Sequence, residues 1–271
     1  MIKDKKIGII GCGNMGEAIF SRLATVMEKS TSLMVSEMDA GRRDVIQSKY
    51  KIIVEIDNNY VVKYSDIIIL AVKPKDIEQL LKQEICCGIS PQKLLISIAA
   101  GVKTGHIEKI VGKNIPVVRV MPNMPAIVGE AISSISPGVS AKEEHMSAAR
   151  EIFSMVGDVI EVGENMVDAV TAISGSGPAY FFYMVEALAD AAKKLKFNSK
   201  TAEKLAVKTA TGSARLLGWT GASPSDLRRR VTSKGGTTEA ALKVFKKRKF
   251  ADIVRLAAEA ACKRSKELSK G

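Results

Sequence analysis

Histidine, tryptophan and cysteine are scarce in this 271-residue chain, at two, one and four copies. The two histidines, His106 and His145, lie far apart, and Cys12, Cys86, Cys87 and Cys262 include no C-x-x-C pair. So few ligand candidates exclude a structural or catalytic zinc set, and no metal is expected. Adjacent Cys86 and Cys87 suit neither a disulfide nor zinc, so the thiols read as reduced and the compartment as cytoplasmic. No stretch approaches the ~18 consecutive apolar residues of a membrane span. The first apolar run is too short, and too soon broken by glycine, for a secretory signal. Aromatic residues make up only 5% of the chain. The basic runs Arg228–Arg230 and Lys246–Lys249 therefore lack the interleaved rings of a nucleic-acid surface and read as solvated helix faces, despite a net charge of +12. No nucleic-acid partner and no membrane partner are expected. A positive field of this kind suits an anionic cofactor and substrate.

What the chain does have is 46% hydrophobic residues, enough for a sizeable core. They follow two grammars. Through the first part, Ile7–Ile10, Leu33–Val35, Ile67–Val72, Leu94–Ile98 and Val117–Val120 are near-continuous apolar runs, as strands covered on both faces should be. Between them, Asp76–Glu84 and Thr104–Val111 carry helical spacing. This alternation predicts an α/β fold with a doubly wound parallel sheet, which Ala131–Ser136 and Asp158–Val162 extend around a helix over Lys142–Val156. After about Gly163 the strands stop. Phe181, Met184, Leu188, Ala191 and Leu195 share one helical face; Ala202, Leu205, Thr209 and Leu216 share another; Ile253, Leu256, Ala257, Ala260 and Ala261 form a third, expected to lie inside. The reading is a dinucleotide-binding domain over 1–163 and an all-helical domain over 164–271.

Gly11-Cys12-Gly13-Asn14-Met15-Gly16 is a G-x-G-x-x-G string, weak alone but informative between a strand at Lys6–Ile10 and a helix beginning near Glu17. In a Rossmann-type turn Gly11 allows the tight bend, Gly13 admits a pyrophosphate to the backbone, and Gly16 lets helix approach strand. Glu37 lies 37 − 16 = 21 residues beyond Gly16, where a carboxylate contacts a ribose and repels a 2′-phosphate. Arg42 and Arg43 follow closely and are placed to clamp that phosphate instead. Residue spacing leaves both NADH and NADPH open.

Three more strings narrow the reading. Ala71-Val72-Lys73-Pro74 follows Leu70 at the end of its strand, Ser174-Gly175-Ser176-Gly177-Pro178-Ala179-Tyr180 opens a long helix, and Val231–Thr238 (VTSKGGTT) joins two helices. With the glycine motif, and in this order, they resemble the pyrroline-5-carboxylate reductase family from Ile7 to about Leu268. The resemblance implies reduction of 1-pyrroline-5-carboxylate to L-proline with NAD(P)H, the last step of proline biosynthesis. It implies a sheet domain that holds the cofactor, and a helical domain that forms an intertwined homodimer or higher oligomer. It places Gly11 to Gly16, Ser36, Asn58 and Leu70 to Lys73 around the dinucleotide. It places Val231, Gly236, Thr237 and Thr238 around the substrate, with Ser176, Gly177 and Asn123 nearby, the last in Met121–Pro125 beneath the nicotinamide. Two residues depart from the family pattern: Lys234 where proline is usual, and Arg230 where some members carry asparagine.

The residue types suit imine reduction. The cofactor brings the hydride, so the protein mainly orients, and no Ser-His-Asp set is needed. The glycine turn Gly235-Gly236-Thr237 offers backbone N–H groups to a carboxylate. Thr238 is positioned to hydrogen-bond the imine nitrogen, making it the expected catalytic residue. The bland counterpart is a helix start capped by Thr237 or Thr238. Two rival functions stand beside this one. A 2-hydroxyacid dehydrogenase would place a lysine in the helix after a glycine turn, and Ser174–Tyr180 has none. A dinucleotide sensor would bind cofactor and turn nothing over.

Overall fold

The computed structural model of the chain describes residues 2, 4–27, 32–112 and 114–269. Its chain divides into two compact units: one runs to Ser176 and takes back the segment from Ala261 onward, and the other is Gly177–Ala260. These packing boundaries differ from a division at 163/164. The short helical turns just after the last strand, and the end of the final helix, pack with the sheet.

The first unit is built on seven strands: β1 (Ile7–Ile10), β2 (Leu33–Ser36), β3 (Ile67–Leu70), β4 (Leu94–Ser97), β5 (Val117–Met121), β6 (Ala131–Pro137) and β7 (Gly157–Glu161). Their order in the sheet is β2-β1-β3-β4-β5-β6-β7. The first five are mutually parallel, as their unbroken apolar runs require, and β1, β3 and β4 are buried along their whole length. The pairing of β5 with β6 is antiparallel, a correction to the all-parallel expectation. Only the short 122–130 segment joins these strands, with a 3₁₀ turn at Met124–Val128, too little chain for a parallel crossover. β6 and β7 pair in parallel across a helix. The apolar side chains divide into two cores, one on each face: Ile7, Ile9, Ile67 and Ile69 on one side, Ile10, Ile68, Leu70 and Leu95 on the other.

The covering helices are α1 (Asn14–Val26), α2 (Ala40–Tyr50), α3 (Asn58–Tyr64), α4 (Ile77–Leu80), α5 (Cys86–Gly88), α6 (Thr104–Val111), α7 (Glu143–Phe153) and α8 (Val167–Val170). The helix predicted over Asp76–Glu84 is interrupted: a π turn at Leu81–Ile85 separates α4 from α5. A second π turn, Thr171–Gly175, follows α8. β3 ends at Leu70, so Ala71, Val72 and Lys73 are loop beyond the strand, ahead of a 3₁₀ turn begun by Pro74.

The second unit holds α9 (Gly177–Lys194), α10 (Ser199–Thr220), α11 (Pro224–Arg230), α12 (Thr237–Lys247) and most of α13 (Phe250–Leu268). Local chemistry sets their ends. The Asn198 side chain accepts from the amide of Thr201 to start α10, Gly221 ends it in the left-handed conformation, and Ser223 caps α11 ahead of Pro224. Within this unit Ala189, Ala202 and Ala206 are buried. The expected apolar faces are otherwise uncovered. Phe181 and Leu195 are 73% and 74% exposed, and Ile253 and Leu256, expected inside, are 57% and 55% exposed. Helical periodicity marks which side of a helix is apolar but not what covers it, and here the chain by itself does not.

Candidate active site

The three glycines of the first motif do three different things. Gly11 has φ +90°, and a Cβ there would sit 2.9–3.0 Å from Val72 and Ala71, so neither conformation nor space admits a side chain. A Cβ on Gly16 would fall 2.2 Å from the carbonyl oxygen of Gly11, which fixes the close approach of α1 to β1. Gly13 is in extended conformation, and a Cβ there would meet nothing within 4 Å. Space stands open in front of its backbone. α1 begins at Asn14, three residues earlier than the periodicity suggests, because the amide of Glu17 already bonds the carbonyl of Gly13. Asn14, Met15 and Gly16 therefore form its first turn, where amide groups have no intrahelical acceptor and point to an anion. The Cys12 side chain is fully buried, and burial pushes its thiol up to about 12. Only the backbone of Cys12 belongs to the turn.

Beside this turn a cleft of about 470 Å³ opens at the carboxyl ends of β1, β2 and β3, where open sheets bind ligands. Of the residues expected around a dinucleotide, Gly11, Gly13, Ser36, Glu37, Asn58, Ala71, Val72 and Lys73 line it. Cys12, Asn14, Met15, Gly16 and Leu70 do not, and of these Cys12 and Leu70 are fully buried. The hydroxyl of Ser36 is buried without a hydrogen-bond partner among the described residues. The side-chain Nδ2 of Asn58 donates to Oε2 of Glu84 at 2.9 Å. Glu84 and Asp39 line the cleft too and were missed by sequence reasoning. Asp39 had a readable signal, as the N-cap that accepts from the Arg42 amide at 2.7 Å. Glu84 had none, being 26 residues from its partner.

Glu37 is held by both oxygens. Oε2 accepts from the amide of Cys12 at 2.8 Å and Oε1 from the amide of Asp39 at 3.0 Å. The two arginines are turned elsewhere. Arg42 Nε donates to the carbonyl of Cys12 at 2.7 Å, and its guanidinium pairs with Glu17. Arg43 Nη1 donates to the carbonyls of Glu37 and Met38, both at 2.9 Å. Burial pushes the Glu17 carboxyl up, but hydrogen bonds from Lys49, Tyr50 and Arg42 outweigh it and hold it below the usual range.

Asn123 is buried and bonded at both ends. Its Nδ2 donates to the carbonyl of Ser174 in the π turn and its Oδ1 accepts from the amide of Ile132, each at 3.0 Å. It braces the Ser174–Ser176 turn against β6. Ser176, whose amide bonds the carbonyl of Thr171 at 2.8 Å, closes that turn, and Gly177 opens α9.

In the helical unit, Val231 to Gly236 form the turn between α11 and α12, and Thr237 and Thr238 begin α12. The turn differs from its expected role as a row of free donors. The amide of Gly235 donates to Oε2 of Glu239 at 2.8 Å, and that of Gly236 to the carbonyl of Ser233 at 3.1 Å. The amides of Thr237 and Thr238, in the first turn of α12, have no intrahelical acceptor and are open to a ligand. Gly236 is the N-cap, and no side chain caps the helix. Neither threonine hydroxyl therefore serves as a cap. Glu239, whose carboxylate shapes this turn, was not foreseen, although a Glu three residues past the N-cap is a known helix-start signal.

A glycine turn open at Gly13, at the carboxyl edge of a doubly wound sheet, defines a dinucleotide-binding oxidoreductase of the Rossmann type. The family profile described as NADP oxidoreductase, coenzyme F420-dependent, matches residues 6–101, and the profile for pyrroline-5-carboxylate reductase dimerisation matches 164–268. The pyrroline-5-carboxylate reductase of Synechocystis sp. is 40% identical over 98% of this chain and 98% of its own. The structure of the Coxiella burnetii pyrroline-5-carboxylate reductase superposes with TM-score 0.91 at 36% identity, covering 98% and 99% of the two chains. That of the Plasmodium falciparum enzyme with NADP bound superposes at 0.85, with 30% identity and coverage of 98% and 99%. The chain belongs to the pyrroline-5-carboxylate reductase family. Its cofactor is NADPH or NADH, its substrate is a small molecule, and its helical region is of the self-associating kind. No helix among the described residues is long and apolar enough to cross a membrane.

Proposed function

We propose that this chain reduces the cyclic imine 1-pyrroline-5-carboxylate to L-proline, the last step of proline biosynthesis, as a cytoplasmic homodimer or larger assembly. The observation that carries the reading is the open backbone at Gly13, in a chain that matches these reductases from end to end. The four cysteines are free thiols, in keeping with a reducing compartment.

The residues of the sheet unit fit a dinucleotide. The amides of Asn14, Met15 and Gly16 at the start of α1 would hold its pyrophosphate, and the unpartnered Ser36 hydroxyl and Glu37 would meet its adenosine ribose. A bound reduced nicotinamide would supply the hydride for the imine carbon, and the ring nitrogen would keep the proton that the protonated imine already carries. The protein's part is orientation. The amides of Thr237 and Thr238 hold the substrate carboxylate at the positive end of α12. The Thr238 hydroxyl, free of any capping duty, fixes the imine nitrogen. Asn123 keeps Ser174–Ser176 in place through its two backbone bonds.

The test is direct. Oxidation of NADH or NADPH, followed by absorbance with pyrroline-5-carboxylate, should proceed and yield proline. Cofactor binding without turnover would favour a dinucleotide sensor, and turnover of a 2-hydroxyacid instead of the imine would favour a dehydrogenase.

A further inference from the structure

We infer that Glu37 makes this chain select NADH over NADPH, a reading that rests on the proposed reductase function. Sequence spacing leaves the choice between a repelling carboxylate at Glu37 and a phosphate clamp from Arg42 and Arg43. The geometry separates them. Glu37 lines the cleft, and its carboxylate is held just past β2 by the amides of Cys12 in the glycine turn and of Asp39 ahead of α2, at 2.8 and 3.0 Å. Those two bonds leave each carboxylate oxygen a further lone pair, which suits the two hydroxyls of an unmodified ribose.

Neither arginine lines the cleft. Arg42 is committed to the Cys12 carbonyl and to Glu17, which itself also binds Lys49 and Tyr50 at 2.7 and 2.9 Å. Drawing Arg42 into the cleft would break a four-residue cluster. Arg43 is tied by Nη1 to the carbonyls of Glu37 and Met38. The charged side chains that do line the cleft are Glu37, Asp39, Asp76 and Glu84 against Lys73 and Lys75, four acids to two bases. A 2′-phosphate would add roughly two negative charges beside Glu37, and like charges at close range in a partly enclosed cleft repel strongly.

Calorimetric titration of the full chain with NADH and NADPH, and with ADP-ribose and its 2′-phosphate as redox-inert probes, reads the preference without catalysis. NADH and ADP-ribose should bind about tenfold tighter than their phosphorylated counterparts, the scale of one partly screened charge contact. The ratio should shrink as salt is raised. Glu37→Gln keeps an acceptor for the Cys12 amide and should bring the ratio near one, and Glu37→Ser should move it further toward NADPH. Equal or tighter binding of the phosphorylated forms by the unaltered chain would overturn the inference. So would an unchanged ratio in a folded Glu37→Gln protein. Binding of neither cofactor would overturn the reductase reading itself, and this one with it. The unaltered chain alone decides the sign, whatever the variants' stability.

Discussion

The two units use their hydrophobic residues differently. In the sheet unit nearly every apolar run of the sequence is buried within the chain: Ile7, Ile9, Ile68, Ile69, Leu70 and Leu95 are at 0–1% exposure. In the helical unit the equally regular faces on α9, α10 and α13 stay open, Leu256 at 55% among them. Uncovered apolar surface on this scale marks an association surface rather than a monomer's exterior. The contrast teaches that hydrophobic periodicity reports burial in the finished assembly, which need not be burial in one chain. It also separates two kinds of damage, to the cofactor cradle in one unit and to self-association in the other.

The sharpest break between the units should come from Gly13→Val. The position is extended and its missing Cβ faces open space, so the variant should fold and assemble normally. The added side chain would stand where the pyrophosphate approaches, and calorimetry should detect no cofactor binding. Unchanged affinity would remove this turn from the cofactor site. Next in size is Leu256→Glu in α13. Burying a leucine contributes about 1.5–3 kcal/mol, and a two-fold dimer loses it twice. The dimer dissociation constant should therefore rise by roughly two to four decades, with the sheet unit still binding cofactor. Light scattering that shows the unaltered chain as a stable, active monomer would contradict the assembly.

The third test asks whether the turn between α11 and α12 is chemical or only structural. Losing a hydrogen bond to a charged group costs about 1.5–3 kcal/mol, so Thr238→Ala should lower kcat/KM for the imine by roughly 10- to 150-fold. Cofactor affinity should not change, and Thr238→Ser should recover much of the activity. A helix-cap role would instead lower the melting temperature, with turnover near normal. Since Gly236, not either threonine, is the N-cap, melting should hold and turnover should fall.

What was legible in the sequence divides along the same line. The strands, the glycine turn and the order of the motifs could be read because each depends on local spacing, and the sheet buries its own apolar runs. The reversal at β6 could not, since it depends on how short the 122–130 link is rather than on the strand's composition. The helical faces were located correctly and misplaced in depth, because Ile253 and Leu256 look the same whether their cover is the same chain or another. At the candidate site, the residue types were visible but their commitments were not. Nothing in sequence says that Arg42 turns to Cys12 and Glu17 or that Glu84 reaches Asn58, while the Glu239 that takes the amide of Gly235 carried only a helix-start signal.

The smallest expected effect lies in the sheet unit, far from both sites in sequence, and concerns pH. His145 stands in the first turn of α7, and its Nδ1 accepts from the amide of Lys142 at 2.8 Å. Only the neutral tautomer that carries its proton on Nε2 can accept there. Burial lowers the His145 pKa below its ordinary value near 6.5; neighbouring Glu144 opposes this and Lys142 adds to it. The unfolded chain therefore binds a proton more readily than the folded one. The stabilisation is complete above the unfolded value and is lost as pH falls through about 6.5 toward the lower folded value. A helix-start bond of this kind is worth about 1 kcal/mol, which in a unit of this size is roughly 2–4 °C in Tm. His145→Gln keeps an acceptor for the Lys142 amide but does not titrate. Melting curves at pH 7.5 and 5.5 should show the unaltered protein losing about that much more than the variant over the interval. Equal losses in the two proteins would mean that His145 does not couple α7 to pH.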